Sequence, residues 1–245
     1  MIVGQGWPPY YKQSGRVMIS RVAVVLSGCG YLDGAEIRES VLSLLYLDMH
    51  GAKVCVFAPD IMQYDVVDHL RQVPEGVTSR NVLTESARIA RGDIAPLSEL
   101  DPQDFDALVL PGGFGAAKSL SDFALNGAEC ALLEAMQTVI KSFYANSKPI
   151  GAMCIAPVLL AVALKGRGLR LTIGDDEGAS GIIEALGHHH RNCETEDAVI
   201  DDANLIVTCP AYMREDSLAN VASGIEKLVQ TVLRMINNDL YKKVD

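Results

Sequence analysis

Lys148-Pro149-Ile150-Gly151-Ala152-Met153-Cys154-Ile155-Ala156-Pro157 is the stretch from which the fold can be read. An apolar run of strand length passes directly into a helical pattern, and a thiol stands at the junction. A strand that turns into a helix within one or two residues forces the turning side chain outward, where the first free N–H groups of the helix face it. Pro157 suits the first helical turn, since its missing N–H is not needed there. The mechanics match the nucleophile elbow of G-x-S-x-G hydrolases, with Gly151 allowing close approach and Ala156 standing where that pattern has its second Gly. Cys154 is therefore the candidate nucleophile, weighed against a small Cys buried for packing.

Outward from this junction the chain alternates between two periods. Val22-Ala23-Val24-Val25-Leu26 is an apolar run ended by Ser27-Gly28-Cys29-Gly30, and a helical stripe follows at Ile37, Val41, Leu44, Leu45 and Met49, closed by Gly51. Further strands are expected over 53–58, ending at Pro59-Asp60, over 105–110, ending at Pro111-Gly112-Gly113, and over 204–208. Helices are expected over 128–145 and 217–237 from their apolar spacing. Strands apolar on both faces and separated by helices form a parallel sheet, so the class is α/β. With no repeat or linker, residues 21–245 read as a single domain. Residues 1–20, with Trp7, Pro8 and Pro9 but no periodicity or secretory apolar run, read as a disordered or loosely docked leader. Its basic residues, with no acid before Asp33, leave a transit peptide as the alternative.

Composition narrows the partners. A 245-residue chain that is 49% hydrophobic can bury a full-sized core, while its longest apolar stretch, Ile155 to Leu164, is too short to cross a bilayer. The net charge of -10 argues against a nucleic-acid partner or an anionic membrane surface and leaves a small neutral ligand. Cysteines at 29, 55, 130, 154, 193 and 209 suit neither a disulfide framework nor a metal ribbon. They are expected as free thiols in a reducing compartment, the cytoplasm.

Ligands of open parallel sheets lie off the carboxyl ends of the strands, where this chain places loops 27–36 and 111–118 and the Cys154 turn. The glycines of Gly112-Gly113-Phe114-Gly115 let backbone N–H groups line a concavity, so Gly113 and Ile155 are expected to offer a two-donor hole for an oxyanion. The alternative is an ordinary tight turn. Glu36, opening the first helix, reads either as a helix N-terminal charge or as a proton-sharing partner of a thiol. His188-His189-His190 cannot converge on one site in regular structure and is expected in a solvated loop. His190 with Cys193 lacks further ligands, so no metal is expected.

Four segments then carry a resemblance: Ser27 to Ile37, Arg80 to Gly92, Pro111 to Lys118, and Thr208 to Met213. Over residues 21–235 the chain resembles the ElbB-like isoprenoid-biosynthesis branch of the class I glutamine amidotransferase-like superfamily. That resemblance implies a flavodoxin-like three-layer sandwich with a mostly parallel sheet, a Cys nucleophile at Cys154, a paired carboxylate at Glu36, and a homodimer. It also implies kinship with glyoxalase III and deglycase enzymes and a weak glyoxalase activity on glyoxal without glutathione. The chain departs from the wider superfamily in its histidines. It lacks the His-x-Glu pair of the amidotransferases, and position 174, where glyoxalase III relatives carry a His, is Gly. His190 matches the branch's usual His by its spacing to Cys193.

The expected reaction is attack of Cys154 on one aldehyde carbon of glyoxal, with the oxyanion on the Gly113 and Ile155 N–H groups, Glu36 moving the proton, and glycolate as product. It needs no cofactor. The rival is a non-catalytic redox-sensing or partner-binding protein in which Cys154 is oxidised and Cys29 resolves it. A dinucleotide site at Gly28, Gly30 and Gly34 has glycines spaced one residue too widely and leaves Cys154 without a task.

Overall fold

The computed structural model describes residues 19–76 and 79–237. Most of the leader expectation, over residues 1–18, lies outside the described residues. In chain order the strands are β1 (Arg21–Val25), β2 (Lys53–Ala58), β3 (Val67–Asp68), β4 (Val73–Pro74), β5 (Ala95–Pro96), β6 (Ala107–Leu110), β7 (Ile150–Met153), β8 (Arg170–Leu171), β9 (His189–His190), β10 (Val199–Asp201) and β11 (Ile206–Cys209). The helices are α1 (Ile37–Met49), α2 (Val82–Ile89), α3 (Phe114–Lys118), α4 (Phe123–Asn126), α5 (Glu134–Ala145), α6 (Pro157–Ala163), α7 (Glu177–Ala185) and α8 (Leu218–Asn237).

Seven strands form the central sheet in the order β10-β11-β7-β6-β1-β2-β5. All pair in parallel except β10 with β11. Alternation along each strand feeds two cores: Ala23, Val25, Leu108 and Leu110 pack on one face with Ile140, Phe143 and Leu160, while Val22, Val24, Val109 and Val207 pack on the other with Leu47, Ile225 and Leu228. Burial on both faces is why these strands are nearly all apolar. The result is the three-layer α/β sandwich with a mostly parallel sheet expected from the sequence.

Strand order reverses between β1 and β6, since the chain runs outward through β2 and returns on the other side of β1. The loops after these strands therefore diverge and leave a crevice at their carboxyl ends. Gly151 serves the packing of α8: a Cβ there would fall 2.7 Å from Leu228 Cδ2 and 3.1 Å from Val232 Cγ2.

Two local expectations change. The helix expected over 128–145 starts at Glu134, because Gly127–Glu129 closes as a separate 3-10 turn, after which Ala131 N–H donates to Asp122 Oδ1 and Leu132 bridges Ser121. The apolar stripe of α1, except for the half-buried Leu44, does not face the core. Its buried residues are Glu39, Ser40, Ser43 and Leu47, while Ile37, Val41, Leu45 and Met49 are exposed. Ser40 and Ser43 can sit inward because their hydroxyls donate to the carbonyls of Glu36 and Glu39 one turn back.

Candidate functional site

Cys154 follows β7 directly with φ 58°, a left-handed conformation uncommon for a side-chain-bearing residue and the mark of a sharp elbow. Its own N–H donates to Cys209 O across the neighbouring strand, which ties the bend to the sheet. Pro157 starts α6 at its first turn. The loops after β1 and β6 are stitched together by Glu36 N–H to Gly112 O, Phe114 N–H to Tyr31 O and Gly115 N–H to Gly34 O. The Gly113 and Ile155 N–H groups are left to donate to the Cys154 sulfur. Gly112 is confined on its inner side: a Cβ would lie 2.5 Å from Cys154 Cβ, 2.9 Å from Sγ and 2.9 Å from Glu39 Oε2.

The carboxylate beside the sulfur is Glu39, not Glu36. Glu36 ends as the N-cap of α1, accepting from Glu39 N–H at 2.7 Å, so its side chain is turned along the helix start. Glu39, one turn further on, points inward and is fully buried. Its Oε2 accepts from Gly112 N–H at 2.9 Å, its Oε1 from Tyr212 N–H at 3.3 Å, and it hydrogen-bonds Cys154. Sequence reading missed Glu39 because it followed the apolar stripe of α1 and not the polar one. The available signal was the parallel polar stripe of Glu36, Glu39, Ser40 and Ser43.

Burial, and then the charge of Glu36, push the Glu39 carboxyl up to about 7, against the N–H groups of Tyr212 and Gly112. Burial first and the Glu39 charge second push the Cys154 thiol well above its ordinary range, and the N–H groups of Gly113 and Ile155 offset this only in part. Loss of water and the neighbouring Glu39 charge thus work against the thiolate, and the two amide donors work for it. The arrangement pairs the thiol with a carboxyl that changes charge near neutrality.

Cys154 opens on a cavity of about 460 Å³ shared with Glu36, Gly113 and Ile155 and walled by Tyr31, Phe114, Phe123, Ile182, Tyr212 and Met213. Cys29 is not among its lining residues. That thiol is raised by burial first and then by the charge of Glu85, and it sits among Arg88, Asp33 and Arg80. The histidine run is not a solvated loop. His188 is buried, accepting from Leu169 N–H at Nδ1 and donating from Nε2 to Ala161 O, while His189 and His190 form β9 against β8. His190 Nε2 accepts from Ile173 N–H at 3.3 Å, so its ring is committed to the backbone. Among the described residues no group of His, Cys, Asp and Glu is arranged to hold a metal ion, and no helix is long and apolar enough to cross a membrane.

A parallel α/β sandwich with a cysteine elbow beside a buried acid at the strand-order reversal defines a class I glutamine amidotransferase-like protein. Within that class the DJ-1/PfpI family pattern matches residues 32–213. The chain belongs to the DJ-1/PfpI family. It is 45% identical over 225 residues to human glutamine amidotransferase-like class 1 domain-containing protein 3, mitochondrial, covering 88% of this chain and 83% of that protein. To the zebrafish ES1 protein, mitochondrial, it is 32% identical, covering 88% and 86%. The crystal structure of an isoprenoid biosynthesis protein with amidotransferase-like domain from Ehrlichia chaffeensis superposes with a TM-score of 0.82 at 41% identity, covering 88% of this chain and 98% of that one. Drosophila melanogaster DJ-1beta shares the fold, with a TM-score of 0.52 at 19% identity over 90% of this chain and 97% of that one.

Proposed function

We propose that this protein is a cysteine-dependent glyoxalase-type enzyme of the ElbB-like branch, converting glyoxal and larger 2-oxoaldehydes to 2-hydroxy acids without glutathione. The observation that carries the reading is the Cys154–Glu39 pair, placed on an elbow with two amide donors beside a largely apolar cavity. Sγ adds to the aldehyde carbon as its proton passes to the Glu39 carboxylate, and the new oxyanion takes the Gly113 and Ile155 N–H groups. A carboxyl that titrates near 7 is well matched to that transfer at neutral pH. The former aldehyde hydrogen leaves as a proton and one returns to the adjacent carbon, with Glu36 at the cavity wall as the carrier. One carbon is thereby oxidised and its neighbour reduced, and no external oxidant or cofactor is needed. Water then cleaves the thioester and restores the thiol. The missing imidazole makes the rate low, since a positioned acid or base contributes about a hundredfold or more.

The cavity favours a substrate larger than glyoxal. Aromatic and aliphatic walls reward an apolar substituent, and the carboxylates of Glu36 and Asp176 at its edge disfavour an anion. Turnover of glyoxal and of phenylglyoxal, followed as glycolate and mandelate, is expected to vanish in Cys154→Ala and to persist in Cys29→Ala. Retained turnover in the first variant overturns the reading. Peroxide oxidation selective for Cys154 with no aldehyde turnover replaces it by the redox-sensing alternative. Cytoplasmic residence is proposed from the free thiols. The human and rat relatives are named as mitochondrial proteins, so recovery of this chain in a mitochondrial fraction would replace that placement.

A further inference from the structure

Arg38 and Glu39 are consecutive in the first turn of α1, one exposed and one buried, yet both reach Tyr212. Glu39 Oε1 accepts from the Tyr212 N–H at 3.3 Å. Arg38 Nη1 donates to the Tyr212 hydroxyl at 3.0 Å, with its Cζ 5.7 Å from the centre of the ring. The tyrosine is thus gripped at both ends, its amide by the acid beside Cys154 and its phenol by a cation on the outer side of the helix.

The short turn that carries Tyr212, Ala211–Met213, follows β11. Ala211 has φ 45°, a left-handed conformation that alanine does not favour, so the turn is kept in shape by contacts from outside it. On one side Arg214 pairs with Asp175 at 3.3 Å and with Glu194 at 2.9 Å. On the other side Arg38 holds the ring. The turn lies over Gly174, where a Cβ would fall 3.3 Å from Met213 Cβ and 3.1 Å from Arg214 Cγ. The space that a side chain at 174 would need is therefore filled, and Glu39 takes its donors from the Gly112 and Tyr212 amides. At 3.3 Å the Tyr212 bond is already long, so a small movement of the turn removes it.

We propose that Arg38 is a positioning residue for Glu39: by holding the Tyr212 ring against α1 it keeps the Tyr212 N–H on Oε1, and so sets the pH at which the acid beside Cys154 changes charge. A donor to a carboxylate favours its charged form, so loss of this one raises that pH. The titratable groups around Glu39 are Glu36 at the helix cap, Cys154 after β7 and Cys209 at the end of β11, with Tyr212 on the turn itself. The elements packed on α1 turn their charges elsewhere. α8 sets Glu226 by His50, α2 sets Glu85 against Arg80 and Arg88, and Lys53 stands at the amino end of β2. The proposal rests on the reading of Cys154 and Glu39 as the working pair, and not on which substrate they meet.

Nuclear magnetic resonance of the full chain, with its glutamate carboxyl carbons isotope-labelled, tests it without any substrate. The Glu39 signal is the one lost in Glu39→Gln, and its titration midpoint is expected near 7 in the wild type. Tyr212→Phe keeps the ring and the Arg38 charge and removes only the hydroxyl, and it is expected to raise the midpoint by about half a pH unit. Arg38→Met is expected to raise it by at least as much, and Arg38→Lys, which keeps a cation and a donor, to restore most of the shift. Arg38 also acts on Glu36 through its charge, so the double variant separates the two effects. If Arg38 works by holding the hydroxyl, Arg38→Met adds little in the Tyr212→Phe background. An unmoved midpoint in Tyr212→Phe, or an Arg38→Met effect that is as large without the hydroxyl as with it, overturns the proposal. A midpoint that moves as expected in a protein that turns over no aldehyde faults the proposed reaction and leaves the positioning role standing.

Discussion

Glu39→Gln keeps the shape of the side chain and deletes its titration, which makes the buried carboxyl measurable. The native carboxyl keeps its proton up to about pH 7, whereas an unfolded Glu releases it near 4.5. Between those values the folded state binds a proton that the unfolded state does not, so stability falls as pH rises. The contribution is complete below about 4.5 and gone above about 7. At about 1.4 kcal/mol per pH unit the loss is on the order of 3 kcal/mol. Gln removes that slope and introduces a constant offset. The carboxylate accepts from Gly112 N–H and from Tyr212 N–H, one per oxygen, whereas an amide has one oxygen and turns its NH₂ toward one of these donors, at about 1–3 kcal/mol. Urea unfolding of both proteins, followed by far-ultraviolet circular dichroism at several pH values across this window, separates the two effects. The unfolding free energy of the variant minus that of the wild type should rise by about 3 kcal/mol from pH 4.5 to 7.5, whatever its starting value. Parallel curves, within about 1 kcal/mol, would refute a buried carboxyl that holds its proton to neutrality.

Gly112→Ala places a Cβ 2.5 Å from Cys154 Cβ and 2.9 Å from Sγ. It should cost about 1–3 kcal/mol in thermal unfolding and slow alkylation of Cys154; an unchanged melt would mean that the loop yields freely. His188→Ala leaves Leu169 N–H and Ala161 O without their buried partners, so a loss of about 1–3 kcal/mol is expected with no change in aldehyde turnover. A turnover defect in a variant of normal stability would show that the histidine serves the chemistry after all.

Much of this architecture is legible in short stretches of chain. Val22 to Leu26 and Ile150 to Met153 read as strands buried on both faces, and a thiol between such a strand and Pro157 reads as standing at a bend. The Gly113 and Ile155 donors follow from the same local geometry, because a chain entering a helix leaves its first N–H groups free. The histidines were harder. His188 precedes β9 and His190 lies within it, so each bonds a different part of the backbone, and nothing in the run itself names Ala161, Leu169 or Ile173.

Period and turn chemistry are properties of neighbouring residues, and from them the sequence determined the parallel α/β class, the elbow and the position of Cys154. Which side of α1 meets the sheet is not local. The helix carries an apolar stripe and a polar one side by side, and either satisfies a 3.6-residue period. Only the tertiary structure chose the polar stripe for the inside, because there the serine hydroxyls bond to the helix's own carbonyls and Glu39 finds Gly112, Tyr212 and Cys154. Three residues of a helix turn the side chain by about 300°, so the same choice that brought Glu39 to the sulfur left Glu36 at the cap and Ile37, Val41, Leu45 and Met49 outside.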